Sequence, residues 1–148
     1  MKTEKDYEEF LTLFNRHEVR YCIIGAFALA FHASPRYTKD MDLLVEASPE
    51  NGRRIVAALE AFGLSSLDLG PDDFSAPGQI IQLGYEPVRI DIITAAEDVD
   101  FFAIWRNRVQ GPYGEQTVSY IDKQDLIELK RKSNRPQDRA DLAVLSPG

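Results

Sequence analysis

Cysteine is almost missing from this chain. Cys22 is the only one in 148 residues, so no disulfide can form within the chain. It lies in the apolar run Tyr21-Cys22-Ile23-Ile24, where a buried, inert thiol is the expected state. Histidine is equally scarce. His17 and His32 have no cysteine or histidine companions at zinc spacing, which excludes the common zinc sites, and both read as ordinary helix residues. No apolar run approaches the length of a membrane span. The opening segment from Met1 to Glu9 is charged and lacks the apolar core of a signal peptide, so the expectation is a cytoplasmic protein with no membrane partner. Positive charge is also in deficit. Lys and Arg number 17 against 24 Asp and Glu, a net charge of −7, which argues against a broad electrostatic footprint on nucleic acid. The exception is Lys130 to Arg139, where Lys130, Arg131, Lys132, Arg135 and Arg139 face a single acid, Asp138. Taken alone, that cluster reads as a solvated helix face and turn.

What is present suits one globular domain spanning residues 1–148. The apolar fraction is 44% and the charged fraction 28%, both ordinary for a chain that buries a real core. Tyr7, Phe10, Leu11 and Phe14 fall at helical spacing and predict an amphipathic helix over 4–16. Tyr21 to Ile24 reads as a strand ending at Gly25, Ala26 to His32 as a short helix broken by Ser34-Pro35, and Asp40 to Val45 as a second strand. Ser48-Pro49-Glu50 is a helix start, with Ser at the N-cap and Pro at the first helical position. That helix runs to Phe62 and stops at Gly63. Residues 64–79 read as a loop, 80–83 and 88–94 as a hairpin, 98–109 as a helix with Phe101, Phe102, Ile104 and Trp105 on its apolar side, and 117–121 as a strand. Asp122 caps a helix to about Lys132, and a final helix runs to Leu145. There is no repeat, low-complexity tract or linker. The class is α/β (α+β), a small mixed sheet flanked by helices.

Three acids stand out on the strands. Asp40 and Asp42 alternate with Met41, Leu43 and Val45, and Asp91 sits in Val88-Arg89-Ile90-Asp91-Ile92-Ile93. Residues two apart share a face of a strand, so Asp40 and Asp42 point the same way. Acids have low strand propensity and an isolated buried carboxylate is costly; three on two apolar strands call for a cation. The link from Gly25 to Asp40 holds a short helix and a loop. It is long enough to bring the second strand back antiparallel beside the first, with Asp40 and Asp42 near Gly25 and the helix N-terminus. Helix N-termini attract anions, and glycine allows close backbone approach. Such a site has a phosphate half and a divalent-metal half, since Mg²⁺ prefers one or two carboxylates plus phosphate oxygens. The third carboxylate completes a two-metal arrangement that activates a hydroxyl and steadies a leaving pyrophosphate. The structural alternatives are ion pairs of Asp40 and Asp42 with Arg36 or Lys39, of Asp91 with Arg89, and of Arg135 with Asp138.

In Ile23-Ile24-Gly25-Ala26-Phe27-Ala28-Leu29, Arg36-Tyr37-Thr38-Lys39-Asp40-Met41-Asp42-Leu43 and Ile90-Asp91-Ile92 the sequence resembles the nucleotidyltransferase superfamily, the fold of DNA polymerase beta. The tail Asp125 to Lys130, with Arg135, Asp138 and Asp141, extends the likeness over residues 19–145. The Arg-x-Thr-x-Asp-x-Asp motif is most similar to abortive-infection toxin-type transferases and uncharacterised relatives. The Ser-Asp start of the minimal antitoxin group is lacking. The resemblance implies transfer of a nucleoside monophosphate from a nucleoside triphosphate to an acceptor hydroxyl with release of pyrophosphate. It implies Mg²⁺ or Mn²⁺ on Asp40, Asp42 and Asp91, the last also drawing the proton from the acceptor. It implies nucleotide contacts from Gly25, Ala26, Arg36, Thr38 and Lys130. The acceptor classes it leaves open are a tRNA end, a protein hydroxyl and a small molecule, with a partner protein in a toxin–antitoxin pair as a further expectation. Ala26 departs from the pattern, because the family usually has Gly or Ser there, and Ser can bond a phosphate oxygen. That departure keeps two other readings open. One is a non-catalytic binding or regulatory subunit on the same fold; the other is a metal-dependent nuclease or phosphohydrolase.

Overall fold

The computed structural model describes residues 2–33, 40–85 and 88–145. In chain order the elements are α1 (Lys2–Arg16), β1 (Tyr21–Ile24), α2 (Gly25–His32), β2 (Asp40–Val45), α3 (Pro49–Phe62), β3 (Ile80–Tyr85), β4 (Val88–Thr94), α4 (Phe101–Asn107), β5 (Val109–Tyr113), β6 (Gln116–Tyr120), α5 (Lys123–Ser133) and α6 (Pro136–Leu145). The strands form one mixed sheet in the order β3-β4-β2-β1-β6-β5. β1 pairs antiparallel with β2 and parallel with β6, and β2 pairs parallel with β4. The mixed sheet flanked by helices agrees with the expected class.

Strand alternation divides the core in two. Ile23, Met41, Leu43, Val45, Ile90 and Ile92 pack against Tyr7, Phe10, Leu11 and Phe14 of α1 and against Ile55 and Leu59 of α3. On the other face Cys22 and Leu44 pack with Phe101 and Ile104 of α4 and Leu126 and Ile127 of α5. Cys22 is fully buried, as expected, and burial pushes its thiol up to about 12. The α3 signals hold in detail. Ser48 Oγ accepts from Asn51 N–H at 3.1 Å. Gly63 is left-handed at φ 101°, and Leu64 N–H closes back on Leu59 O at 2.9 Å.

Several expectations need correction. Helix α4 is only Phe101–Asn107, capped by Asp100, and the residues beyond it form an edge strand, β5, that the sequence pattern does not predict. Gly111 and Pro112 lie within it: an edge strand tolerates proline, and a Cβ at Gly111 would collide with the Phe31 ring. The 64–79 segment is not structureless: it contains short 3-10 turns at Ser65–Leu67 and Pro71–Phe74, and Phe74 is fully buried. The last strand begins one residue earlier than expected, at Gln116. His17 lies in the turn after α1 rather than in a helix; His32 is the last residue of α2, as expected of a helix residue, with its Nε2 2.6 Å from the carbonyl of Ile121. No helix among the described residues is long and apolar enough to cross a membrane.

Candidate active site

The acids meet where the second core face runs out. Asp40 opens β2, and Asp42 is paired across the sheet with Ile24, the last residue of β1. On the other side β4 lies parallel and in register, so Asp42 faces Asp91 and Asp40 faces Arg89. Register partners on neighbouring strands share a face about 5 Å apart. Three acids and one arginine thus stand as a four-cornered patch on the same side as Leu44. Gly25 follows β1 at once. It begins α2 with φ +68°, and a Cβ there would collide with the Asp42 carboxylate. Here a glycine is required twice, by backbone conformation and by the close approach of Asp42. No side chain caps the first turn of α2, where Ala26 is the second residue.

Arg89 balances the acids in part. Its Nη2 and Nε donate to Asp91 at 3.1 and 3.3 Å, and its Nη1 lies 3.8 Å from Asp40. The Asp91–Arg89 pair named as the structural alternative does form. Tyr7 Oη bonds the backbone of Arg89, donating to its carbonyl at 3.2 Å and accepting from its N–H at 3.3 Å, which ties this strand to α1. One cation does not satisfy three acids. Burial, then the charges of Asp91 and Asp40, push the Asp42 carboxyl from 3.8 up to about 6, against the opposing pull of Arg89 and Arg135. Asp40 Oδ1 is buried and, among the described residues, accepts no hydrogen bond.

The patch forms one wall of a cavity of about 630 Å³. Ile80, Ile93, Val99 and Leu129 supply an apolar wall, and Lys130, Ser133, Arg135 and Asp138 of the α5–α6 corner supply a charged one. Lys130 is not a solvated lysine of a helix face. It is buried, with Nζ 2.9 Å from Asp141 Oδ2 and 3.8 Å from Asp138 Oδ1. Arg135 pairs with Asp138 at 2.9 Å while most of its side chain stays exposed. Asp138 also accepts from Ser133 Oγ at 2.8 Å and from Arg135 N–H at 3.1 Å. These donors, Arg135 first, pull its carboxyl down to about 2. Lys132 Nζ donates to Asp98 O at 2.7 Å on the rim.

Of the residues singled out in the sequence, Gly25, Asp40, Asp42, Asp91 and Lys130 line this one cavity. Arg36 and Thr38, with Lys39, lie outside the described residues. The sequence does not predict Arg89 as a bridge between two acids; its even spacing from Asp91 is the available signal. The donor chemistry suits a hard divalent cation, because all three acids offer carboxylate oxygens and the orphaned Asp40 Oδ1 marks a shortage of positive charge. Among the described residues no three His, Cys, Asp or Glu side chains are gathered as a ready metal cage; the Arg89 guanidinium stands among the acids.

The sequence matches no family model and no curated protein. Solved structures do match. ANT(2")-Ia in complex with adenylyl-2"-tobramycin is similar at TM-score 0.62 and 12% identity, over 98% of this chain and 88% of that one. The lincosamide antibiotic adenylyltransferase LnuA, lincomycin-bound, is similar at TM-score 0.58 and 16% identity, over 97% and 96%. A nucleotidyltransferase-like protein from Paracoccidioides brasiliensis is similar at TM-score 0.54 and 13% identity, over 97% and 76%. At these identities the likeness is one of fold: the chain has the nucleotidyltransferase fold.

Proposed function

We propose that this chain is a nucleotidyltransferase, moving a nucleoside monophosphate from a nucleoside triphosphate to an acceptor hydroxyl. One observation carries the reading. The in-register carboxylates of β2 and β4 adjoin the tight glycine turn into α2, at the mouth of one cavity. Anion-holding and cation-holding halves are then side by side, as a metal–triphosphate complex requires.

In this reading Asp40, Asp42 and Asp91 hold Mg²⁺ or Mn²⁺, which supplies charge stabilisation for the triphosphate and for the departing pyrophosphate. The chain's own groups do the rest. Gly25 lets the backbone approach the phosphates, and the N–H of Ala26 donates to a phosphate oxygen. Asp91 accepts the proton of the acceptor hydroxyl as its oxygen bonds to the α-phosphorus and the bond to pyrophosphate breaks. Arg89 positions Asp91 and offsets part of the repulsion among the acids before the substrate arrives. Arg135, paired with Asp138 on the opposite wall but largely exposed, would exchange that pair for the triphosphate. Lys130 contributes its charge through the α5–α6 corner. Arg36 and Thr38 are assigned to the nucleotide on the motif alone.

The proposal takes three classes of acceptor. A small molecule, as in the tobramycin and lincomycin complexes of the neighbours, a tRNA end and a protein hydroxyl are the candidates. The rival reading is a non-catalytic subunit, including one half of a toxin–antitoxin pair. Ala26, which has no hydroxyl for phosphate, and the Arg89 bridge favour it. The test is to incubate the protein with each α-labelled triphosphate, Mg²⁺ or Mn²⁺ and host lysate, then fractionate. Label entering RNA, protein or a small product supports transfer and names the acceptor. Metal-dependent nucleotide binding with no labelled product favours the binding subunit, and label released only as free monophosphate favours a hydrolase.

A further inference from the structure

The sheet orders the carboxylate cavity from one side to the other. Its strands run β1, β2, β4, β3 across the site. Gly25 and the first turn of α2 follow β1, Asp42 stands on β2 and Asp91 on β4, and Gln82 of β3 is the register partner of Asp91. Neighbouring strands lie about 5 Å apart, so these groups form a row in steps of that size. Transfer at phosphorus sets the attacking and leaving oxygens roughly in line. With the pyrophosphate at the glycine turn, the breaking bond points to the β1 side. The attacking hydroxyl then arrives from the opposite side, at Asp91, and the rest of the acceptor lies over β3.

That side of the cavity is apolar. Ile80 of β3 is the register partner of Ile93, and Ile93, two residues from Asp91, shares its face. Val99 and Leu129 continue the wall. Ile80 is 69% exposed, the most exposed of the large apolar side chains among the described residues. The β3 positions on this face are Ile80, Gln82 and Gly84, none of them charged. The charges around them are matched. Arg89, the register partner of Gly84, is held by Asp91 and Asp40. Lys132 Nζ donates to the carbonyl of Asp98 at 2.7 Å, which brings one cation beside one acid. Lys130 is held by Asp141 and Asp138, and Arg135 by Asp138. A nucleic-acid acceptor needs unmatched cations for its backbone, and a polycationic acceptor needs unmatched carboxylates. β3 offers neither.

We propose that the acceptor is a small, uncharged molecule that carries its hydroxyl on an apolar body, with that body against Ile80 and Ile93. This rests on the nucleotidyl-transfer reading of the same cavity. Gln82, exposed beside Asp91, offers an amide donor and an amide acceptor to the polar end of the molecule. The cavity, about 630 Å³, is within the range of small-molecule sites. The hydroxyl oxygen bonds to the α-phosphorus and its proton passes to Asp91. The electron pair of the breaking bond leaves with pyrophosphate, and the product is the neutral body joined to a nucleoside monophosphate.

The first test is calorimetry with 2-naphthaleneethanol, a neutral alcohol on an apolar body. It is titrated into the whole chain with Mg²⁺ and an α,β-methylene triphosphate, which cannot be cleaved at that bond. Probe affinity should fall at least tenfold in Ile80→Asn, roughly the scale of burying one large apolar side chain, and stay within threefold in Ile80→Val. Triphosphate affinity should stay within twofold in both. Ile80 is at the surface, so both variants are expected to fold. Weaker triphosphate binding in Ile80→Asn would give the wall to the base of the nucleotide and overturn the assignment. No probe binding, or equal probe affinity in wild type and Ile80→Asn, would overturn it too, as would a dimer in sedimentation that Ile80→Asn dissolves. The second test supplies α-labelled triphosphate, Mg²⁺ and host lysate. The label is expected in a small product whose acceptor half, freed by phosphodiesterase, is uncharged on electrophoresis. Label in RNA, in protein or on a charged small molecule would overturn the acceptor class and leave the transfer reading standing. No label in any fraction would overturn the transfer reading, and the acceptor class falls with it.

Discussion

Replacing Asp42 by asparagine is expected to stabilise the metal-free protein, against the usual effect of changing a site residue. The folded chain holds the Asp42 proton up to about pH 6, whereas the unfolded chain releases it near 3.8. Between those values the native state binds more protons, so wild-type stability falls as pH rises. Raising a carboxyl this far corresponds to about 3 kcal/mol. Coupling to Asp40 and Asp91 spreads the effect, and about 2–3 kcal/mol is expected from this one substitution. The asparagine would fill the same volume without the charge, so its advantage should be near zero at pH 4 and complete by pH 7. Asp138, pulled down to about 2, contributes stability that is present above 3.8 and is lost as pH falls toward 2. It is common to both proteins and cancels in the comparison. The assay is urea denaturation of both proteins in EDTA at pH 4 to 8. Adding Mg²⁺ should reverse the order, because only the wild type regains a cation between its acids. An Asp42→Asn protein less stable than wild type at pH 7, or a difference flat with pH, would refute the claim that the acids repel one another without metal.

Gly25→Ala should cost roughly 1–3 kcal/mol, since the position has φ +68° and the new Cβ meets the Asp42 carboxylate; the loss should shrink in an Asp42→Ala background, as a double-mutant cycle by denaturation will show. Lys130→Met should cost about 3–5 kcal/mol, because it removes a buried cation from Asp141 and Asp138. A loss below about 1 kcal/mol would mean that the ion pairs do not hold the α5–α6 corner and that Lys130 is available to the triphosphate.

The carboxylate patch was legible because strand alternation is a local rule. Asp40 and Asp42 between apolar neighbours fix a shared face, and the short link from Gly25 fixes the antiparallel return of β2. The caps of α3, Ser48 and Gly63, were legible for the same reason. What was missed depends on contacts far apart in sequence. Edge strand β5 survives its Gly-Pro pair because Phe31, from α2, fills the space above Gly111. Asn51 has the sequence position of a helix-surface residue, yet it is buried, taking the Arg20 N–H at 2.8 Å and donating to the carbonyls of Arg20 and Glu46. It thereby clamps α3 to the start of β1 and the end of β2. Arg89 could be read as a partner of Asp91 from spacing alone, but its reach to Asp40 required the parallel pairing of β2 with β4.

The central claim is that the clustered acids perform nucleotidyl transfer, and Asp91 is the residue on which it turns. The direct measurement is pyrophosphate release by wild type and Asp91→Asn, with Mg²⁺, each triphosphate and lysate as the source of acceptor, beside nucleotide binding by calorimetry. The account predicts release by the wild type and a loss of at least ~100-fold in Asp91→Asn, the scale of a lost general base, with affinity falling much less. No release from the wild type with any triphosphate and acceptor mixture would contradict it, and an equal fall in binding and release would reduce Asp91 to a metal ligand without a part in proton transfer.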